Sequence, residues 1–207
     1  MQKEDPVRSM RAPQQARSQD STTRMLDAAL AILDRDGAAG LTIANVSLES
    51  GVSNGALYHR FGNRHQLFIA AQQRFLDTLK ADWLTAAAPI WQVTEPHVLL
   101  ARLVEVFVRI FTDHRRTFHA FMVTGHDNTD LRARGTRAST RAAQFVVDQL
   151  TDRFGCSPQA ADTAYHMLFA HALLITQFSD EEISTTPVPP EIRRHHLTRA
   201  LHAVLTT

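Results

Sequence analysis

Eight residues between positions 42 and 64 carry most of the chain's readable chemistry. They are Thr42, Ser53, Asn54, Gly55, Tyr58, His59, Arg60 and Arg64. The set holds no paired carboxylates and no nucleophile beside a base, so it does not read as an enzyme site. It suits nucleic acid. Hydroxyl and guanidinium groups donate to phosphate, and an amide pairs with the N6 and N7 edge of adenine. A tyrosine can offer its hydroxyl to phosphate while its ring lies on a groove wall or a thymine methyl. Gly55 falls in the first turn of a helix, where it costs up to about 1 kcal/mol relative to alanine. A local rule broken this way often marks function, and a missing Cβ permits close approach of another molecule. Each residue also has a plain alternative: Gly55 can face a neighbouring helix, and Tyr58 can be half-buried core. The combined spacing favours function.

These groups need elements to hold them. The stretch "GVSNGALYHRFGNRHQL" contains Asn-Gly, a hairpin signal, but its flanks lack strand alternation. Two short helices joined by Gly51-Val52-Ser53 fit instead. Gly51 can end one helix in the left-handed region, Val52 can plug the bend, and Ser53 can cap the next. This is a helix-turn-helix layout. Upstream, Met25, Leu26, Ala29, Leu30, Ile32 and Leu33 have helical spacing, and Gly37 marks the stop. Thr42 opens the second helix, with Ile43, Val46 and Leu48 inward. The third ends near Phe61 and Gly62. Asn63 opens the fourth, with Gln66 as its capping-box partner, and Leu67, Phe68, Ala71, Phe75, Leu79 and Leu84 carry it to the mid-80s.

The rest of the chain continues in helices. Leu99, Leu103, Val106, Phe107, Ile110 and Phe111 form one apolar stripe. A long helix runs to about Phe154, with Phe145, Val146 and Leu150 inward, and Ser157-Pro158 starts the next. Prolines 187, 189 and 190 make a loop before a last helix carrying Ile192, Leu197, Leu201, Val204 and Leu205. No segment alternates like a strand. The expected fold is all-α with about nine helices: residues 1–18 as a flexible basic arm, 19–66 as a three-helix head, and 67–207 as a second helical domain.

Composition narrows the classes. The 207 residues carry a net charge of +1 and one cysteine, Cys156. A single thiol excludes an intrachain disulfide framework. The first 65 residues hold eight cations against seven anions, so placement rather than charge total must serve a polyanion. The N-terminus shows no signal-peptide pattern, and Thr163–Ser179 reads as a buried helix rather than a membrane span. A cytoplasmic protein without a membrane partner is expected.

The span "TIANVSLESGVSNGALYHRFGNRHQL", Thr42 to Leu67, resembles the DNA-binding signature of the tetracycline-repressor (TetR) family. Arg24, Leu26, Ala28, Ala29 and Gly37 resemble its first helix. The likeness covers about residues 20–70. It implies that Thr42 contacts a phosphate and that Ser53, Asn54, Gly55, Tyr58 and His59 lie on a recognition helix in the major groove. Arg64 stands where the family usually has lysine and would reach a phosphate. Arg60 replaces a frequent histidine and should add or shift a phosphate contact. Ser47 and Ser50 replace the usual alanines, which puts the packing of the second helix in question.

The same resemblance implies a homodimer on a palindromic double-stranded operator, and a repressor released by a small-molecule effector of unknown identity. The face marked by Tyr165, Leu168, Ala172, Ile175, Leu197, Leu201 and Val204 is the dimer candidate; the alternative is that it fills a monomer core. Trp83, Trp91, Phe107, Phe111, Phe118, Phe121, Met122, His126 and Phe169 are the effector candidates, each of which can also be plain core. His119, His126, His166 and His171 lack carboxylate or thiol partners at ligand spacing, so no metal is assigned, and no cofactor is expected. Arg134, Arg137 and Arg141 share one helix face, a solvated face or a clamp for an acidic ligand. The competing function is an architectural or partner-controlled DNA-binding dimer with no small-molecule site.

Overall fold

A computed structural model describes the backbone of residues 6–125 and 128–207 and the side chains of residues 19–125 and 128–207. Those residues form ten α-helices and no strand. Contacts divide the chain into two units, Met1–Phe75 and Leu76–Thr207. The division falls after Phe75, inside a helix, and so later than the 66/67 boundary read from the sequence.

The first unit contains α1 (Pro6–Gly40), α2 (Ile43–Ser50), α3 (Asn54–Phe61) and the beginning of α4 (Arg64–Ala87). The expected arm over 1–18 differs from the structure, which is already helical from Pro6. The types found there, Arg, Met, Ala and Gln, are strong helix formers. Residues 1–5 lie outside the described residues. Helical geometry breaks at Gly37, with φ 68° and ψ −169°. Met25, Ala29, Ile32 and Leu33 are buried, as are Leu41, Ile43, Val46, Leu57, Leu67, Ala71 and Phe75. Helix α2 packs on α1, and α3 packs on α2. Leu48, expected inward, is 85% exposed. Ser50 is buried instead, because its hydroxyl is used by the turn that follows.

The second unit is built around α8 (Pro158–Gln177). It packs against α5 (Pro96–Asp113), α6 (Arg115–Thr124), α7 (Thr129–Phe154) and α10 (Pro190–Leu205). The α5 stripe is buried as its spacing predicts: Leu99, Leu103, Val106, Phe107, Ile110 and Phe111. Phe145 is the exception on α7. It was expected inward but is half exposed, while Val146, Val147 and Leu150 fill the core. The tenth helix, one more than expected, is the four-residue α9 (Asp180–Ile183). Its Ser179 capping box gives Glu182 a bond to Ser179 N–H at 2.6 Å. A 3-10 turn at Ile90–Gln92 precedes α5. No described helix is long and apolar enough to cross a membrane.

Candidate nucleic-acid interface

The turn before α3 is made by backbone geometry and two hydroxyls. Gly51 sits at φ 67°, ψ 19°, the left-handed region that glycine enters without a Cβ clash. Ser53 is extended, and its Oγ accepts from Ala56 N–H at 3.3 Å, capping α3. The serines that replace alanines are part of this turn. Ser47 Oγ donates to the Val52 carbonyl at 2.7 Å, and Ser50 Oγ accepts from Val52 N–H at 3.3 Å. Thr42 caps α2 by accepting from Asn45 N–H at 3.1 Å, and Asn63 Oδ1 accepts from Gln66 N–H at 2.9 Å. The Thr42 and Ser53 caps use acceptor lone pairs and leave the O–H proton available to another acceptor.

On α3 only Leu57 is buried. Asn54, Gly55, Tyr58, His59 and Arg60 are all exposed, Tyr58 by 55%. A Cβ built on Gly55 would meet nothing nearer than Ser53 Oγ at 4.0 Å. Within its own unit, then, no neighbouring helix explains this glycine, and Tyr58 is not half-buried core. Among the described residues, the side chains of Asn54, Tyr58 and His59 have no partner. The helix presents an uncommitted amide, phenol and imidazole around a bare stretch of backbone.

The two arginines behave differently. Arg60 Nε and Nη2 both donate to Thr22 Oγ1 of α1, at 2.8 and 2.5 Å. Arg64 Nε donates to the Leu41 carbonyl and its Nη2 to the Ala38 carbonyl, both at 2.5 Å. Neither guanidinium stands free, as a phosphate contact read from sequence would suggest. Both are tied to neutral oxygens and so keep their charge. Thr22 was missed by sequence reasoning because its partner lies 38 residues away.

In the second unit six rings form one connected cluster. Phe111 stacks on Phe107 at 5.1 Å and on Phe118 at 4.6 Å. Trp83 meets Phe107 edge-on at 5.8 Å, and Phe169 meets Phe111 the same way at 5.8 Å. Tyr165 contacts Phe107 at 6.1 Å and Phe169 at 5.9 Å. Burial pushes the Tyr165 phenol above its ordinary range, opposed by a bond to Ser139. Of the effector candidates, Trp83, Phe107, Phe111, Phe118 and Phe169 come together here. Trp91 lies instead against Phe145, at 5.9 Å. Phe121 is buried on α6, and Met122 is exposed, its Sδ accepting from Gln177 Nε2 at 3.4 Å. His126 lies outside the described residues. Among the described residues no three His, Cys, Asp or Glu are grouped to hold a metal.

The dimer candidates divide by burial. Tyr165, Leu168, Ala172 and Leu201 are buried within this single chain, so its own core already covers them. Ile175, Leu197 and Val204 are partly buried. The exposed apolar residues of this region are Leu174, Phe178, Ile183, Val188 and Ile192. They span the end of α8, the α9 segment and the start of α10. Arg193 draws that segment together through a fork to Asp180, both arms at 2.6 Å, and a bond to the Val188 carbonyl at 2.8 Å. Arg134, the most covered of the α7 arginines, is partly buried, and Arg137 and Arg141 are exposed.

A left-handed glycine turn between two eight-residue helices, the second with its polar face uncommitted, is the geometry of a helix-turn-helix DNA-binding protein. Residues 25–71 match the family described as bacterial regulatory proteins, tetR family. An HTH-type transcriptional regulator BetI from Brucella canis is 24% identical over 184 residues, covering 76% of this chain and 91% of the relative. A transcriptional regulator from Saccharomonospora viridis, solved in complex with choline, superposes with a TM-score of 0.64 at 15% identity, over 87% of this chain and 93% of its own. The multidrug binding protein EbrR, solved with imidazole, gives 0.60 at 21% identity, over 86% and 88%. The chain is similar to tetR-family regulators over residues 25–71 and shares the helical fold of these solved structures.

Proposed function

We propose that this chain is a tetR-family transcriptional regulator, a repressor that binds a palindromic operator as a homodimer and is released by a small apolar or aromatic effector. The unit ending at Phe75 serves as the DNA-binding head, and the second unit holds the effector and dimer surfaces. One observation carries the reading: among the described residues Asn54, Tyr58 and His59 have no partner, and they surround a glycine with open space above it. In the groove, Asn54 reads an adenine edge, Tyr58 lies against a thymine methyl or groove wall, and His59 donates to a base or phosphate. Thr42 and Ser53 give their hydroxyl protons to phosphates, and Arg64 adds the donors that the head leaves unused.

A single head makes few contacts, and a two-fold pair reads two half-sites. The exposed apolar side chains between Leu174 and Ile192 support a second copy as the partner of that stretch. The effector reading is supported by the six-ring cluster, since aromatic faces take up apolar rings and organic cations alike. Proteins of similar fold have been solved with choline and with imidazole. The effector weakens operator binding only as far as its affinities for the two conformers differ. The protein acts in the cytoplasm, without catalysis.

A second reading removes the effector. The rings of the cluster already touch one another at 4.6 to 6.1 Å, as in a finished core. Both readings meet one experiment. An operator is selected from a random duplex pool with the full chain, and binding and melting are followed with and without choline or an aromatic dye. A palindromic site bound by a dimer, and weakened by a compound that raises the melting temperature, supports the proposal. A monomer on an asymmetric site overturns it. Operator binding and melting indifferent to every such compound favour the second reading.

A further inference from the structure

The geometry points to a division of labour within the head: we infer that Arg60 is a positioning residue, which sets the angle of the reading helix by holding Thr22 of α1. The inference rests on the reading above, that α3 lies in the DNA groove.

Helix α3 is eight residues long and has one buried side chain, Leu57. A two-turn helix with one buried anchor resists displacement but is weakly held against rotation about its own axis. Its N-terminal end is fixed by the Ser47, Ser50 and Ser53 bonds of the turn. Its last turn carries Arg60, whose two nitrogens converge on a single oxygen of α1. Arg60 follows His59 directly and lies two residues beyond Tyr58. Any rotation that misplaces those two groups must therefore also break the Arg60 fork. Recognition groups need placement to about 0.5 Å and 10–20°, which a supporting shell supplies.

The acceptor's chemistry fits this role. A carboxylate at position 22 would hold the arginine more tightly but cancel its charge beside the DNA backbone. A threonine hydroxyl holds it and leaves the charge in place. The planar fork is specific to arginine, because a lysine has neither the geometry nor the paired donors. The histidine frequent at this position in the family could not reproduce the fork either.

The test uses the full-length protein, its selected operator and a scrambled duplex of equal length. Thr22→Val removes the acceptor and keeps the β-branched shape; Arg60→Ala removes the donors. Each should lower operator affinity roughly tenfold, the scale of one charge-assisted hydrogen bond. The double variant should be no worse than either single one, since both break the same bond. For Thr22→Val, which keeps the charge of Arg60, binding to the scrambled duplex and the salt dependence of operator binding should stay close to wild type. Thr22→Ser, which keeps the hydroxyl, should restore binding, and Arg60→Lys should not. A loss of affinity that came only from an unfolded head would lower both kinds of binding together and would overturn the inference. So would wild-type binding by Thr22→Val beside an Arg60→Ala variant whose salt slope drops by about one, the mark of a lost phosphate contact. Tyr58→Ala separates the two levels. If it binds the operator as wild type does, the groove reading itself falls; if it binds weakly while the Thr22 and Arg60 effects simply add, only the positioning role falls.

Discussion

The Ser47 hydroxyl donates to the Val52 carbonyl at 2.7 Å, across the turn that separates α2 from α3. An alanine at 47 would fit the space, but it would leave the Val52 carbonyl without this donor. A partly buried acceptor stripped of its partner costs about 1–3 kcal/mol. Ser47→Ala should therefore destabilise the head by about 1 kcal/mol, at the low end because the site is only part-buried. Urea unfolding followed by circular dichroism checks this, with a lowered midpoint and an unchanged slope. An unchanged midpoint would mean that Ser50, Gly51 and Ser53 hold the turn without it.

Gly55 lets stability and function be pulled apart. A Cβ there has open space, with Ser53 Oγ at 4.0 Å as its nearest contact. Gly55→Ala should therefore raise stability by up to about 1 kcal/mol through helix propensity. In the proposed groove complex the same methyl would stand where the groove wall approaches, so operator affinity should fall at least about tenfold, the equivalent of 1.4 kcal/mol. Melting temperature and operator titration on one preparation give both signs. A stabilised variant with wild-type affinity would show that no backbone approach occurs at this position.

The local features of the head were readable from sequence because each depends on residues near in the chain. The caps at Thr42 and Ser53, the turn at Gly51 and the break at Gly37 are of this kind. The α5 stripe was readable because burial on one side imposes a 3.6-residue period. What periodicity does not contain is the identity of the covering surface. Helix α8 is packed by four other helices, so its stripe of Tyr165, Leu168 and Ala172 is core, although the same pattern would suit a subunit seam. The Arg60–Thr22 and Arg64–Ala38 bonds join residues far apart in sequence, and each has a charged side chain that looks available until its partner is located. Leu48 misled for the opposite reason: its helix is so short that two apolar residues, Ile43 and Val46, satisfy its packing.

His171 makes stability depend on pH. Its imidazole is held below the ordinary value of 6.5 first by burial and then by the charge of Arg193, with Asp180 opposing. The Arg193 fork keeps the Asp180 carboxyl below its own ordinary value, so that acid remains ionised throughout. Below about pH 6.5 the unfolded chain takes up the His171 proton, while the folded chain does so only at lower pH. The contribution is thus complete above that value and is lost as the pH falls toward the folded value. His171→Gln should flatten the fall in urea midpoint between pH 7 and about pH 5 relative to wild type. Parallel curves for the two proteins would exclude His171 as a source.

Two substitutions separate core from seam in the second unit. Leu168 is 1% exposed and sits on the central helix α8. Leu168→Ala should cost about 2–5 kcal/mol whatever the oligomeric state. Phe178 lies exposed just beyond α8. Phe178→Asp should leave the monomer's helicity and its unfolding slope intact and move the proposed dimer equilibrium toward monomer. Sedimentation across a concentration series reads that equilibrium. A dimer indifferent to Phe178→Asp would remove the α8–α10 segment from the interface.

Phe111 is the hub of the aromatic cluster, stacked at 17° on Phe107 and at 5° on Phe118, with Phe169 edge-on at 89°. It is buried, whereas Phe118 is only partly so. Removing the hub takes away stacking on both sides and leaves a cavity, at a cost of about 3–5 kcal/mol. Removing Phe118 opens the cluster from its edge, where the neighbours can relax, and should cost clearly less. If an effector enters this region, the Phe118→Ala variant should melt lower than wild type yet gain a larger rise in melting temperature from an aromatic probe, because ring-sized space is already open. Mass action links that rise directly to the probe's affinity for the folded state. Equal responses from wild type and Phe118→Ala would mean that the probe binds elsewhere, and the six rings would then be core and nothing more.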